Sequence, residues 1–181
     1  MNKVVLLDRD GVINKDSLHY IKSCDEFVPV DGSIDAIARL TKAGFLVGIA
    51  TNQSGVSRGL YTEDELQAIH AKLINLVHLA GGEINAIEYC IHMPDAGCAC
   101  RKPAAGMLLS LAKTLGCSSL QDIPFVGDRV SDIQAALLAG ATPFMVLSPM
   151  TDRVALLPYS YVPVFHSLSD WVDFWLGRDQ L

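Results

Sequence analysis

A chain of 181 residues, half of them apolar, is long enough for one domain that buries most of its surface without a cofactor to rescue its core. A formal net charge of -6 argues against the basic face of a nucleic-acid binder and against a polybasic membrane anchor, so an anionic ligand has to be drawn in by local cations or a metal. The apolar stretch behind Met1-Asn2-Lys3 meets a carboxylate at Asp8, too early for a signal peptide, and no apolar run nears the roughly 20 residues of a spanning helix, so a soluble cytoplasmic protein is expected.

In chain order, Val4–Leu7 and Phe45–Ala50 read as strands with a helix over 33–41 between them. A long helix is expected over 62–79, with Thr62 and Glu65 placed to form a capping box. Ile87–Ile91 reads as a third strand, and a helix from about Pro103 to Leu115 follows, since proline suits a first helical position. Phe125–Val126 as a strand, 132–139 as a helix and Phe144–Leu147 as a strand complete the alternation. Beyond Ser148, three prolines interrupt the pattern before a last apolar helix around 168–176. Strand and helix in alternation imply right-handed crossovers, hence an α/β fold with a doubly wound, mainly parallel sheet and its site at the carboxyl ends of the strands. Without repeats or a long linker, residues 1–181 read as one domain.

The polar motifs fall at those strand ends. Asp8-Arg9-Asp10-Gly11 sets two carboxylates one residue apart after a buried run, where they can hold a hard ion such as magnesium, and Gly11 permits a sharp turn. A carboxylate beside magnesium can attack phosphorus, because the ion neutralises both partners. An Asp-x-Asp pair alone equally suits a sugar-nucleotide transferase or a solvated turn. A calcium loop is not expected, because Val12 and Ile13 occupy the positions where such a loop needs a ligand and a glycine.

After the second strand, Thr51-Asn52-Gln53-Ser54 offers a hydroxyl and successive amides for phosphate oxygens, with Arg58 in reach of another anion; a helix-initiating polar turn is the plainer reading. Arg101-Lys102 is a pair of cations ahead of a helix, usually a solvated pair. Asp128 ends a strand and Asp132 lies one helical turn on, where either can complete a metal site or cap a helix.

Three of the five cysteines, Cys90, Cys98 and Cys100, crowd with His92 into eleven residues. In a reducing compartment this is the ligand set of a closed tetrahedral structural zinc site rather than a disulfide pattern. Zinc there would fix the loop that leads directly into Arg101 and Lys102. His70, His78, Cys24, Cys117, Trp171 and Trp175 read as surface or packing residues.

Taken in order, the four motifs resemble those of the haloacid dehalogenase superfamily of phosphatases over nearly the whole chain. The resemblance implies Asp8 as nucleophile and Asp10 as the acid that protonates the leaving alcohol, then the base that activates water. It implies magnesium held by Asp8, the backbone carbonyl of Asp10 and Asp128, the phosphoryl group steadied by Thr51 and Lys102, and Asp132 as a positioning acid. The intervals between motifs are too short for the inserted cap domain common in that superfamily, so a capless enzyme with an accessible site is expected.

The cysteine loop on this scaffold is similar to that of the zinc-containing phosphatases acting on a heptose 1,7-bisphosphate, which supply a precursor of bacterial lipopolysaccharide or S-layer glycans, and of the related histidinol-phosphate phosphatases. That likeness implies a phosphorylated sugar as partner, met by Asn52, Gln53, Ser54, Arg58, Arg101 and Lys102, and by the segment Asp16, Ser17, Leu18, His19 and Tyr20. Two departures stand out: only five residues separate His92 from Cys98, and Arg129 stands where lysine is common. A metal-dependent glycosyltransferase would leave Lys102 and Asp128 without roles, and a non-catalytic zinc module would leave both motif aspartates without them. The chain is expected to be a monomer that binds neither nucleic acid nor membrane.

Overall fold

The computed structural model describes residues 3–178; Met1 and Asn2 of the short leading stretch and Asp179–Leu181 lie outside the described residues. Six strands form one sheet: β1 (Val4–Leu7), β2 (Leu46–Asn52), β3 (Ala86–Cys90), β4 (Pro124–Gly127), β5 (Thr142–Val146) and β6 (Val164–Phe165). They lie in the order β3-β2-β1-β4-β5-β6, and every pairing is parallel. Five helices link or follow them: α1 (Ser33–Lys42), α2 (Glu63–Leu79), α3 (Gly106–Thr114), α4 (Val130–Ala139) and α5 (Leu168–Gly177).

The doubly wound character is written into β1, where Val4, Val5, Leu6 and Leu7 are all buried because helices cover both faces of the sheet. Val5 and Leu7 join one core with Ile37 and Leu40 of α1, Ile69 and Leu73 of α2 and Trp171 of α5. Val4 and Leu6 join the other with Met107, Leu108 and Leu111 of α3 and Ala135 and Ala136 of α4. Each such side chain contributes roughly 1.5–3 kcal/mol on burial, so a charge at either face of β1 would separate a helix layer from the sheet. Trp171 and Trp175 stack at 5.3 Å within the first core, the packing role the sequence suggests.

Register sets the site. Leu7 pairs with Ile49 of β2 and Val126 of β4, and the Asp8 N–H continues the ladder to the Val126 carbonyl at 2.9 Å. Asp8 and Asp128 therefore leave adjacent strands side by side, at the point where the strand order reverses and a ligand crevice opens. Thr62 caps α2 through the capping box foreseen with Glu65. Only α1 lies between β1 and β2, and α2, β3 and a loop separate β2 from α3, so no cap domain is inserted among the described residues.

Two elements depart from expectation. The third helix starts at Gly106, not at Pro103, because the Lys102–Pro103 peptide is cis and the chain turns through Ala104 before Gly106 N–H bonds the Ala99 carbonyl at 2.9 Å. Beyond Ser148, a single 3-10 turn at Leu157–Tyr159 and the two-residue edge strand β6 carry the chain back to the sheet, with Pro163 placed just ahead of β6 where no ladder donor is needed. Among the described residues no helix is long and apolar enough to cross a membrane.

Candidate active site

Four buried charges meet at the carboxyl ends of β1 and β4. The Lys102 Nζ donates to Asp8 Oδ1 at 2.8 Å, to the Ala50 carbonyl at 2.8 Å, and pairs with Asp132 Oδ1 at 2.7 Å. Burial opposes its charge, but Asp132 and Asp8 raise its pKa above the ordinary lysine value. Asn52 fixes the Lys102 backbone from both sides, donating to its carbonyl and accepting from its N–H, each at 3.0 Å. Asp132 Oδ2 accepts the N–H groups of Asp128 and Arg129, which caps α4 and joins β4 to it.

The remaining balance is negative. Asp8, Asp128 and Asp132 place carboxylate oxygens within 4.8 Å of one another, against one ammonium. Burial, then Asp132, pushes Asp8 well above the carboxylate range, and the same two causes push Asp128 up to about 7. Ser148 Oγ donates to Asp128 Oδ2 at 2.5 Å and Thr151 Oγ1 to the Asp128 carbonyl at 2.8 Å, yet the buried Asp128 Oδ1 has no hydrogen-bond partner. An all-oxygen set short of positive charge, with one orphaned oxygen, suits a hard divalent cation such as magnesium. Gly11 makes the approach possible: its φ is +82°, and a Cβ there would lie 2.1 Å from Asp128 Oδ2.

Asp10 is turned away from this cluster. Its Oδ1 accepts Arg9 Nε at 3.0 Å, Arg9 Nη2 at 2.8 Å and Asn14 Nδ2 at 2.9 Å, and its Oδ2 accepts Gln53 Nε2 at 2.9 Å. Burial opposes ionisation, but Arg9, Asn14 and Gln53 together hold the carboxyl below its ordinary value. The Arg9 side chain is wholly buried between two motif aspartates and sends Nη1 to His70 Nε2 at 3.1 Å. Burial, then the Arg9 cation, lowers His70 to about 3, so the imidazole is neutral with Nε2 as acceptor.

Above these groups lies a cleft of about 680 Å³. Asp8, Asp10, Thr51, Lys102 and Asp132 line its floor; Asp128 lies beneath it, fully buried. Asp16, Ser17, Leu18 and Tyr20 form one wall, and Arg58, Arg101 and Arg129 supply cations at the rim. His19 is exposed and is not part of the lining. Arg129 pairs with Asp16 at 2.7 Å, and Arg58 sits over the Tyr20 ring at 5.9 Å. Asn52, Gln53 and Ser54 also border the cleft, although the Asn52 amide is committed to Lys102 and the Gln53 amide to Asp10 and Thr51.

Beside the cleft, Cys90, His92, Cys98 and Cys100 converge. Cys90 Sγ lies 3.0 Å from Cys100 Sγ and 3.7 Å from Cys98 Sγ, and His92 Nδ1 lies 3.4 Å from Cys90 and 3.3 Å from Cys100. All five cysteines, these three included, are free thiols. Burial pushes Cys90 up to about 12, while the Arg101 backbone N–H brings Cys98 down to about 6. Three sulfurs and one imidazole nitrogen at mutual contact fit a tetrahedral metal site, with His92 presenting Nδ1.

The sequence does not disclose Arg9, His70, Tyr61, Ser148 and Thr151 as parts of the site. Of these only Arg9 carried a signal, as a large cation between two motif acids.

Fold and floor together define a phosphoryl-transfer hydrolase of the haloacid dehalogenase type. A model of the HAD-hydrolase-like family matches residues 99–171. A D-glycero-beta-D-manno-heptose-1,7-bisphosphate 7-phosphatase of Pseudomonas putida is 51% identical over 151 residues, covering 83% of this chain and 86% of that one. The enzyme of the same name from Neisseria meningitidis serogroup A is 45% identical over 177 residues, covering 95% and 94%. The crystal structure of a D,D-heptose 1,7-bisphosphate phosphatase from B. bronchiseptica, complexed with magnesium and phosphate, superposes with a TM-score of 0.91 at 41% identity over 97% of this chain and 99% of that one. The chain belongs to the D-glycero-beta-D-manno-heptose-1,7-bisphosphate 7-phosphatase family, a family of phosphoric monoester hydrolases.

Proposed function

We propose that this protein removes the 7-phosphate of D-glycero-D-manno-heptose 1,7-bisphosphate, through a covalent intermediate on Asp8. The observation that carries this reading is the buried Asp8–Lys102–Asp132 triad beside Asp128 at the reversal point of the sheet. The relatives' names favour the heptose substrate over histidinol phosphate, and they carry the β anomer, which we adopt.

Asp8 attacks phosphorus, and Lys102, fixed by Asn52, steadies the phosphoryl oxygens with the Thr51 hydroxyl. Asp10 gives a proton to the departing sugar oxygen and then takes one from the water that cleaves the aspartyl-phosphate. Asp8, the Asp10 carbonyl and Asp128 hold magnesium, which when bound neutralises charge on nucleophile and phosphate alike. Asp132 positions Lys102 and the start of α4. Arg58, Arg101 and Arg129 face the distal phosphate, and Asp16, Ser17, Leu18 and Tyr20, with Ser54, surround the sugar.

Cys90, His92, Cys98 and Cys100 hold a structural zinc ion that anchors Arg101 and Lys102. We further read the chain as a single-domain, cytoplasmic monomer serving bacterial surface-glycan precursor synthesis, with no nucleic-acid or membrane partner.

A phosphate-release assay tests the assignment, comparing kcat/KM for the heptose bisphosphate and histidinol phosphate with magnesium present. Preference for the bisphosphate is expected; a preference for histidinol phosphate would overturn it.

A further inference from the structure

Asp10 has to give and take a proton at one defined place, and on a turn only its neighbours can restrict its side-chain rotamer. The structure restrains it from two sides. Its Oδ1 already accepts three donors, from Arg9 and Asn14, which fills that oxygen's capacity. Its Oδ2 accepts only Gln53 Nε2 and so retains room for a reacting partner.

Each restraint is itself held from outside the cleft. Tyr61 Oη donates to Gln53 Oε1 at 2.5 Å, which fixes the amide so that its nitrogen, not its oxygen, faces Asp10. Gly55 makes room for this, since a Cβ there would lie 2.2 Å from the Tyr61 ring. On the other side, His70 of α2 accepts from Arg9 Nη1 at 3.1 Å and so takes up the guanidinium donor that points away from Asp10. Tyr61 and His70 are both buried, neither lines the cleft, and neither can touch substrate.

We infer that Tyr61 and His70 are positioning residues for proton transfer: acting through Gln53 and Arg9, they clamp Asp10 so that Oδ2 is the oxygen presented to the reacting centre. The inference rests on the reading of Asp10 as proton carrier. In the first step the Asp8–phosphorus bond forms, the bond from phosphorus to the sugar oxygen breaks, and the Oδ2 proton passes to that oxygen. In the second, water oxygen bonds phosphorus, the Asp8–phosphorus bond breaks, and Oδ2 regains a proton from the water.

The test compares kcat/KM for the heptose bisphosphate, whose alkoxide needs a proton to depart, with that for 4-nitrophenyl phosphate, whose phenolate departs without one. Both are measured on the same preparation at enzyme concentrations high enough to follow slow turnover, so a fraction of misfolded protein cancels in the ratio. Tyr61→Phe and His70→Leu are each expected to lower the sugar-to-aryl ratio at least about 10-fold, a part of the roughly 10²–10⁴-fold that general acid catalysis supplies. His70→Gln, which keeps an acceptor for Arg9, is expected to restore the ratio to within about 3-fold of the parent. A parental ratio in either of the first two variants would overturn the clamp. Failure of the parent protein to hydrolyse both esters, or full activity in Asp8→Asn, would instead overturn the phosphatase chemistry beneath it.

Discussion

Lys102 stands between two clusters assembled on opposite plans. On one side Asp8, Asp128 and Asp132 leave strand ends and the first turn of a helix, and Lys102 already offsets part of their charge. On the other, Cys90 ends β3 while His92, Cys98 and Cys100 lie on an irregular loop and meet chiefly one another. The first cluster is positioned by the sheet and has the means to stand without its ion. The second joins the core through its cysteines but rests largely on an irregular loop, so the zinc ion proposed there would be part of the fold. On the proposed reading, one metal is placed for chemistry and exchange, the other for permanence.

The most drastic way to break this contrast is Asp8→Asn, which removes the proposed nucleophile with a near-isosteric side chain. Its kcat is expected to fall at least about 10⁴-fold, with unchanged far-UV circular dichroism. Lys102→Met is the next largest. It leaves buried carboxylates without their cation, and urea unfolding in magnesium-free buffer is expected to show a loss of about 3–5 kcal/mol.

Cys100→Ser sharpens the comparison from the zinc side. It is expected to release zinc, measured by elemental analysis, and to lower kcat/KM about 10–100-fold through the loosened Arg101 and Lys102. Mild chelation should remove magnesium activity reversibly in the parent protein while zinc content holds.

The smallest effect is one of pH. His70 titrates at about 3 when folded and near 6.5 when free, so between these values the unfolded chain takes up a proton that the folded one refuses. Its contribution is complete above pH of about 6.5 and is lost as pH falls toward 3, by about 1 kcal/mol between pH 7.5 and 5.5. Urea unfolding at those two pH values should show that difference shrinking in His70→Gln.

The alternation of apolar runs made the layers legible, because β1 is buried on both faces and so reads as an unbroken Val-Val-Leu-Leu. The floor of the site was legible for a related reason: the motifs at Asp8, Thr51 and Asp128 sit at the ends of such runs, and parallel pairing brings the run ends together, while Lys102 reaches them from a loop. What could not be read were contacts whose partners are remote in the chain. His70 looks like any amphipathic-helix histidine until Arg9, 61 residues away, is placed against it. Asn52 and Gln53 read as substrate ligands because nothing local shows that one grips Lys102 and the other Asp10. Pro103 misled as a helix start, since its cis bond belongs to a turn that only the Ala99–Gly106 contact closes. Strand β6 is two residues long and leaves no periodicity to detect.

The uninserted intervals between β1 and β2 and between β2 and α3 have a consequence for the aspartyl-phosphate proposed at Asp8. A lidded enzyme chooses which acceptor meets its activated group, and by shutting out solvent it can hand that group to a second metabolite. Here no domain is inserted over the cleft among the described residues, so water has direct access to its floor. On the proposed reading, the open cleft favours water over a second metabolite as acceptor, and it leaves selection among sugars to the wall at Asp16, Ser17, Leu18 and Tyr20 and to the rim arginines.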